Sequence, residues 1–519
     1  MLINAVGRVL PEKVGSYDVK PYQGVSSEDL GMPKVVSNRR PTLRPLSGSK
    51  VIGTLEEVII AAGLKDGMTI SFHHSFREGD LVIGQVLTAC RNLGIKNLLF
   101  APSAVVNIKD PSIVDFVRDG TINRIEASGI RGDLGDAVIN GLMENPVILR
   151  PHGSRPLAIE TGKLSIDVAF IGASAADEYG NATGQIGPNA CGALGYSFID
   201  ATSAGKVVVI TDNLVEYPCI PVSISQQYVD YVVKVEKIGI PEKIGAGATR
   251  MTNNPRDLMI AKRVADVIAS SRMFMDGFSF QTGAGTISIA CTNYLAQHME
   301  KRNIKASFAL GGMTANIVDM FNKGLVRVLL CSQSFDSIAA RAIAEHQNII
   351  EIDNAVYSNK FSKGCMLDKL NFGVLAGLEI DVDFNLNILT GSNGSMMGGL
   401  GGGPDVAEGA DISIVTLPII RGRTPSVVKK VFTVCTPGET VAMVVTEAGI
   451  ALNPRHKHYK MLREDLEKSG FKIVSIEWLC QLAESMTGIP KPIECTDKIV
   501  CIVEYRDGTV IDVIRQVKR

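Results

Sequence analysis

Neither sign of charge predominates in these 519 residues: 53 Lys and Arg stand against 54 Asp and Glu, for a net charge of −1. That balance leaves no basic field to hold nucleic acid and no polybasic run for a membrane surface. No apolar run approaches the length that spans a bilayer, and Arg8 interrupts the opening MLINAVGRVL, so no signal peptide is expected there. A C-x-x-C pair is also missing. The ten cysteines are scattered, most in apolar segments such as VLTAC, VLLCSQ and VFTVC. They read as reduced, buried thiols of a cytoplasmic protein, not as a disulfide frame or a metal site. There is no P-loop, no G-x-S-x-G elbow and no cysteine in positive surroundings. What the chain does have is apolar mass: 45% of residues, with a mean hydropathy of +0.17. Large cores and buried subunit interfaces, hence an oligomer, are expected from that composition.

Residues 1–48 are polar, with prolines at 11, 21, 33, 41 and 45, and read as an extension wrapped over the body. From Ser49 the pattern is α/β. Short apolar strands such as GMTISFHH, IDVAFIGAS and KVVVITDNL alternate with helical stretches such as GDLVIGQVLTACRNLG and NPRDLMIAKRVADVIASS. Continuous Val/Ile runs between helices favour mainly parallel sheets covered on both faces. The pattern restarts at FMDGFSFQ and ends in KIVCIVEYRDGTVIDVIRQV, where Asp507-Gly508 signals a hairpin. Two similar α/β lobes are predicted, 49–270 and 271–519. Sites in such lobes lie where strands end and the chain turns into loops and helices.

One such loop is GSNGSMMGGLGGGPD, Gly391 to Asp405, with seven glycines in fifteen residues. Each glycine adds to the entropic cost of ordering the loop. Flexible linkers lack apolar anchors, yet Met396, Met397 and Leu400 interleave here, so the loop is built into a packed domain. It serves either close backbone approach or the placing of N–H groups where charge develops. QTGAGTIS, Gln281 to Ser288, follows a strand and opens a helix. Its Gly283 and Gly285 form either a tight turn or an anion-binding helix start. SFHHSFREGD gathers His73, His74, Arg77 and Glu78 within six residues; it is a surface turn or a polycarboxylate site, since a guanidinium fork matches a carboxylate. DEYGNATG reads as a structural turn, and NPRHKHY as a solvated loop before a helix. Glu447, after VAMVVT, is either a site carboxylate or a capped strand end.

Taken in order, HHSFREGD, FSFQTGAGT, ASFALGGMT, LTGSNG with its glycine run, and RGRTPSVVKKVFTVCTPGETVAMVVTEAGIALNP resemble the alpha chains of citrate lyase. That family lies within the coenzyme A transferase superfamily, and the likeness covers nearly the whole chain. It implies acyl exchange: acetyl-[acyl carrier protein] plus citrate gives citryl-[acyl carrier protein] plus acetate. The thioester would sit on a coenzyme-A-like phosphopantetheine arm of a small gamma subunit, with no cofactor held tightly by this chain. A beta subunit would then cleave the citryl thioester. By the same resemblance Asn393-Gly394 and the glycines Gly398, Gly399, Gly401 and Gly402 lie at the acyl-transfer centre. Gly394 N–H, with Gln281 or Gly283 opposite, is the expected donor pair for the carbonyl oxygen.

The superfamily's acyl-accepting glutamate has no counterpart. Leu310-Gly311-Gly312 stands in one of its slots, and Ser392 stands in the other, before Asn393-Gly394. Direct attack by citrate on the bound thioester is therefore expected. A transferase or hydrolase acting on free acyl-coenzyme A is the alternative among enzymes. A non-catalytic sugar-phosphate sensor is the alternative of another class.

Overall fold

Valine, isoleucine and alanine fill strands such as Val168–Gly172 and Lys206–Thr211 on both faces, as strands buried between helical layers require. The computed structural model describes residues 1–25, 48–105, 111–245, 251–283 and 285–518. These residues build two large sheets. The first has ten strands, in the order Val510–Val517, Cys495–Glu504, Val147–Leu149, Ile122–Ala127, Leu98–Phe100, Thr69–Ser71, Val168–Gly172, Lys206–Thr211, Tyr231–Lys234 and Val51–Ile52. The second has nine: Ile349–Glu351, Val326–Ser334, Ala306–Met313, Ser279–Thr282, Phe372–Ala376, Ile412–Thr416, Met443–Val445, Ile450–Leu452 and Ile473–Val474. Pairing is parallel except within Cys495–Val517 and between Met443–Val445 and Ile450–Leu452. The two-lobed, mainly parallel α/β class is as the sequence predicts.

Helix ends follow local chemistry. Pro255–Ser270 starts with Asn254 as its cap, whose side chain accepts the Arg256 N–H, and with Pro255 in the first turn, where no amide hydrogen is needed. Thr286–Arg302 starts after Gly285 and stops at Asn303, which is left-handed at φ 51°.

One expectation is corrected. A second lobe running to 519 does not match the sheets: the hairpin 495–517 leaves it and pairs Cys501–Val503 with Val147–Leu149 of the first. A buried ion network holds it there, with Arg150 between Glu126 and Glu504. The segment VVKKVFTVC pairs little with the sheets. Only Val427–Val428 pairs, while Val431, Val434 and Cys435 pack into the first lobe's core and so seal the lobe interface. Of the N-terminal extension, residues 1–25 lie over the C-terminal hairpin, where Leu10 and Val19 meet Ile502 and Val510; 26–47 fall outside the described residues. All ten cysteines are free and nine are buried. No helix among the described residues is long and apolar enough to cross a membrane.

Candidate active site

Thr69–Ser71 runs out into Phe72-His73-His74, and successive residues of an extended chain face opposite ways. Phe72 enters the core. The His73 ring meets Asp200 at 2.7 Å, and Arg155 holds that carboxylate from the other side at 2.5 and 2.8 Å. Burial opposes the Asp200 charge, yet Arg155 and His73 together keep its pKa well below the usual range. His74 turns instead into a cleft of about 310 Å³ between the lobes. Its Nδ1 lies 2.7 Å from Ser103 Oγ, and its ring stacks with His152, centroids 5.7 Å apart. Burial first, then His152 and Arg77 nearby, lowers the His74 pKa well below 6.5, and burial first of all brings His152 to about 3. Both imidazoles are neutral near pH 7.

Positive charge in the cleft comes from arginine. Arg77 stands at φ 52°, left-handed and strained for a side chain of its size, at the turn where the strand gives way to Val82–Asn92. Arg131, just before the helix Gly132–Ile139, pairs with Glu78 at 2.7 Å. Burial and then Arg131 lower the Arg77 pKa, so the two guanidiniums feel one another's charge. Two cations, one paired carboxylate and two neutral rings leave the cleft short of negative charge.

The glycine run forms the opposite wall. Leu400 N–H reaches the Ser128 carbonyl at 2.7 Å, and His152 N–H reaches the Gly401 carbonyl at 2.8 Å. Gly129 and Gly399 pair as a bridge so close that a Cβ on Gly129 would overlap the Gly399 backbone. This is what the glycines are for: two backbones from different lobes meet with no room for side chains. Gly401 is left-handed at φ 53° and Gly402 follows at φ −93°, ψ 7°. Such a pair turns successive N–H groups to one side, and no acceptor among the described residues takes either of them.

His74, Arg77, Glu78, Gly398, Gly399 and Gly401 are thus brought together. Gly402 lies beside them, against Tyr357. Other expected residues are placed elsewhere. Gly394 N–H is taken by the Gly391 carbonyl at 2.9 Å, and a side chain there would run into Val517 and Ile493. Asn393 is exposed and accepts from Ser395. Gly283 N–H is spent on Val374, and Gly285 caps a helix. The expected Gly394–Gln281/Gly283 donor pair is therefore corrected. Gln281 is buried and donates to Tyr357 Oη at 2.7 Å, behind the glycine wall. Glu447 accepts the Ile419 N–H at 2.9 Å and lies 3.9 Å from Arg256, away from the cleft; it is the capped strand end. His73 faces away from the cleft, toward Asp200. DEYGNATG is structural, with Asp177 accepting from Tyr179, Asn181 and Cys219.

Sequence reading missed Arg131, His152, Gln333 and Phe335. Arg131 stands in SGIRGD and His152 in RPHGS, each a small-residue turn after an apolar strand, the same signal that found Arg77. Gln333 and Phe335 end the strand segment LLCSQSF, where nothing marks them out.

Two α/β lobes with a cleft at their strand ends and a glycine loop across it define the coenzyme A transferase architecture. A 4-hydroxybutyrate CoA-transferase from Porphyromonas gingivalis shares it at TM-score 0.53 and 16% identity, covering 81% of this chain and 98% of that one. The chain belongs to the citrate lyase alpha subunit family: the family model for citrate lyase, alpha subunit (CitF), matches residues 48–517. It is 49% identical to the citrate lyase alpha chain of Escherichia coli K12 over 90% of this chain and 91% of that one. A solved alpha subunit of citrate lyase from Streptococcus mutans, in complex with citrate, superposes at TM-score 0.95 with 44% identity, covering 99% of this chain and all of the other.

Proposed function

We propose that this chain is the acyl-exchange subunit of a citrate lyase complex, moving a carrier-bound thioester from acetyl to citryl. The observation that carries this is the cleft itself: Arg77 and Arg131 face it with a single carboxylate, Glu78, already paired. A polycarboxylate supplies the missing negative charge, and guanidinium forks match its geometry. Citrate is the polycarboxylate that the relative from Streptococcus mutans holds.

In the proposed reaction one citrate carboxylate oxygen attacks the acetyl thioester carbonyl carbon. The tetrahedral oxyanion sits against the unpaired N–H groups of Gly401 and Gly402, in place of the expected Gly394. The C–S bond breaks, leaving a thiolate and an acetyl-citryl anhydride. The thiolate then attacks the citryl carbonyl and expels acetate, so no net proton is consumed. The neutral His74 and His152 rings line the cleft without competing for the citrate charge. The thioester is carried by the phosphopantetheine arm of a gamma subunit, and a beta subunit cleaves the product.

The test is exchange. Given acetylated carrier and labelled citrate, the purified chain should release acetate and yield labelled citryl carrier. Acetate release that does not depend on citrate would replace this reading with a hydrolase.

A further inference from the structure

We propose that Phe335 and Gln333, at the end of the second-lobe strand Val326–Ser334, set the specificity for a tricarboxylate by fixing Arg77 across the lobe interface. This rests on reading the cleft as the citrate site. Arg77 pairs with no carboxylate among the described residues, so something else must hold its guanidinium in place. The ring of Phe335 does so, with the guanidinium carbon 4.7 Å from its centroid. The turn that carries Arg77 is closed by the Arg77 N–H donating to the His74 carbonyl at 3.1 Å. Gln333 Nε2 donates to that same carbonyl at 3.0 Å, from the other lobe. Second-lobe residues therefore grip both the root and the head of a strained residue.

Phe335 is itself held. Its N–H donates to the Met313 carbonyl at 2.8 Å, and its ring packs on Gly312 with no space for a side chain there. Gln333 is buried. A tricarboxylate spanning Arg77 and Arg131 needs both guanidiniums at a set separation; a monocarboxylate needs only one. Fixing Arg77 therefore favours citrate over acetate more than it strengthens anion binding in general.

The experiment compares Phe335→Leu with Phe335→Tyr in the full chain, by calorimetric citrate binding and by transfer from acetylated carrier. Phe335→Leu should weaken citrate binding by about 3- to 10-fold while acetate inhibition and the KM for acetylated carrier stay unchanged; Phe335→Tyr, which keeps the ring, should bind like wild type. In an Arg77→Leu background Phe335→Leu should have no further effect on citrate, which a general folding defect would not reproduce. Equal weakening in the Leu and Tyr variants, or equal weakening toward citrate and carrier, would overturn the proposal. Absence of citrate binding in wild type would instead sink the functional reading on which it stands.

Discussion

The ring of Phe335 fills the space that any side chain on Gly312 would need: a Cβ built there would overlap the ring. Gly312→Ala must therefore displace Phe335, and with it the Arg77 guanidinium. The variant should lose about 1–3 kcal/mol of stability, as overpacking does, and require more citrate. Phe335→Ala in the same chain should recover much of the stability and none of the citrate affinity. A urea titration of the four-member set checks the first part; additive losses would mean the two residues do not compete for space.

Arg131 and Glu78 give a second handle. They pair at 2.7 Å while both face the cleft, so removing the arginine alone frees a carboxylate where citrate should lie. Arg131→Ala should raise the citrate KM by about 10-fold or more, given the usual worth of a hydrogen bond to a charged group. Adding Glu78→Gln should recover part of that loss. Steady-state kinetics at constant ionic strength decide it, and a double variant worse than the single one would refute the arrangement.

The two ends of the glycine loop should separate cleanly. Gly129→Ala forces the Gly399 backbone away, so transfer should fall on the order of 100-fold, the usual effect of small displacements at a reacting centre. Gly394→Ala places a side chain at φ 79° and 2.7 Å from Val517 Cγ2, which should cost about 1–2 kcal/mol of stability and spare transfer by folded protein. Activity lost equally in both would return Gly394 to the site.

That contrast marks what sequence could and could not say. The mainly parallel α/β sheets and the polar strand end at His74–Glu78 were legible because each rests on local pattern: a Val/Ile run, a helix start, a polar strand end. The glycine loop was legible as a built-in loop, but not which glycine served which purpose. Gly394 and Gly401 look alike in sequence; only packing against Val517 or His152 distinguishes them. The hairpin 495–517 was legible as a hairpin, yet its partner strand lies some 350 residues earlier, at Val147–Leu149. Phe335 was invisible because its role depends on two contacts, Gly312 and Arg77, that lie on different segments.

A pH effect on stability follows from Asp80, whose buried carboxyl is raised from 3.8 to about 7 with only backbone N–H donors to oppose desolvation. The folded chain binds this proton more tightly than the unfolded chain. Stability from this group is therefore full below pH 4, falls as pH rises toward 7, and stays low above it. Asp80→Asn keeps the acceptor for Ile83 N–H and removes the titration. The variant should gain on the order of 1–3 kcal/mol over wild type at pH 8 and little or nothing at pH 4. Denaturant midpoints at the two pH values are the measurement; an equal effect at both would place the Asp80 proton elsewhere.

The missing acyl-enzyme is the sharpest mechanistic expectation. A protein carboxylate could accept the acetyl group only if it reached the cleft unpaired. Gly311, at φ 96°, faces Gln281 and Tyr357, and Gly312 faces the Phe335 ring, so neither slot has room for an acid. Ser392 lines a separate groove with Arg8 and Arg515. Glu447, the remaining challenger, is tied to the Ile419 amide. Glu78 does face the cleft, but its carboxylate is already engaged by Arg131 at 2.7 Å. Citrate must then be present with the carrier before any bond breaks, and positioning supplies the acceleration; well-oriented pairs reach effective molarities of roughly 10⁵ M or more. Initial rates should follow a sequential pattern. Intact-mass spectra of the chain given acetylated carrier alone, with hydroxylamine or borohydride as trap, should show no adduct. A trapped acetyl on Glu78 would keep the cleft as the active site and replace direct attack by a two-step mechanism.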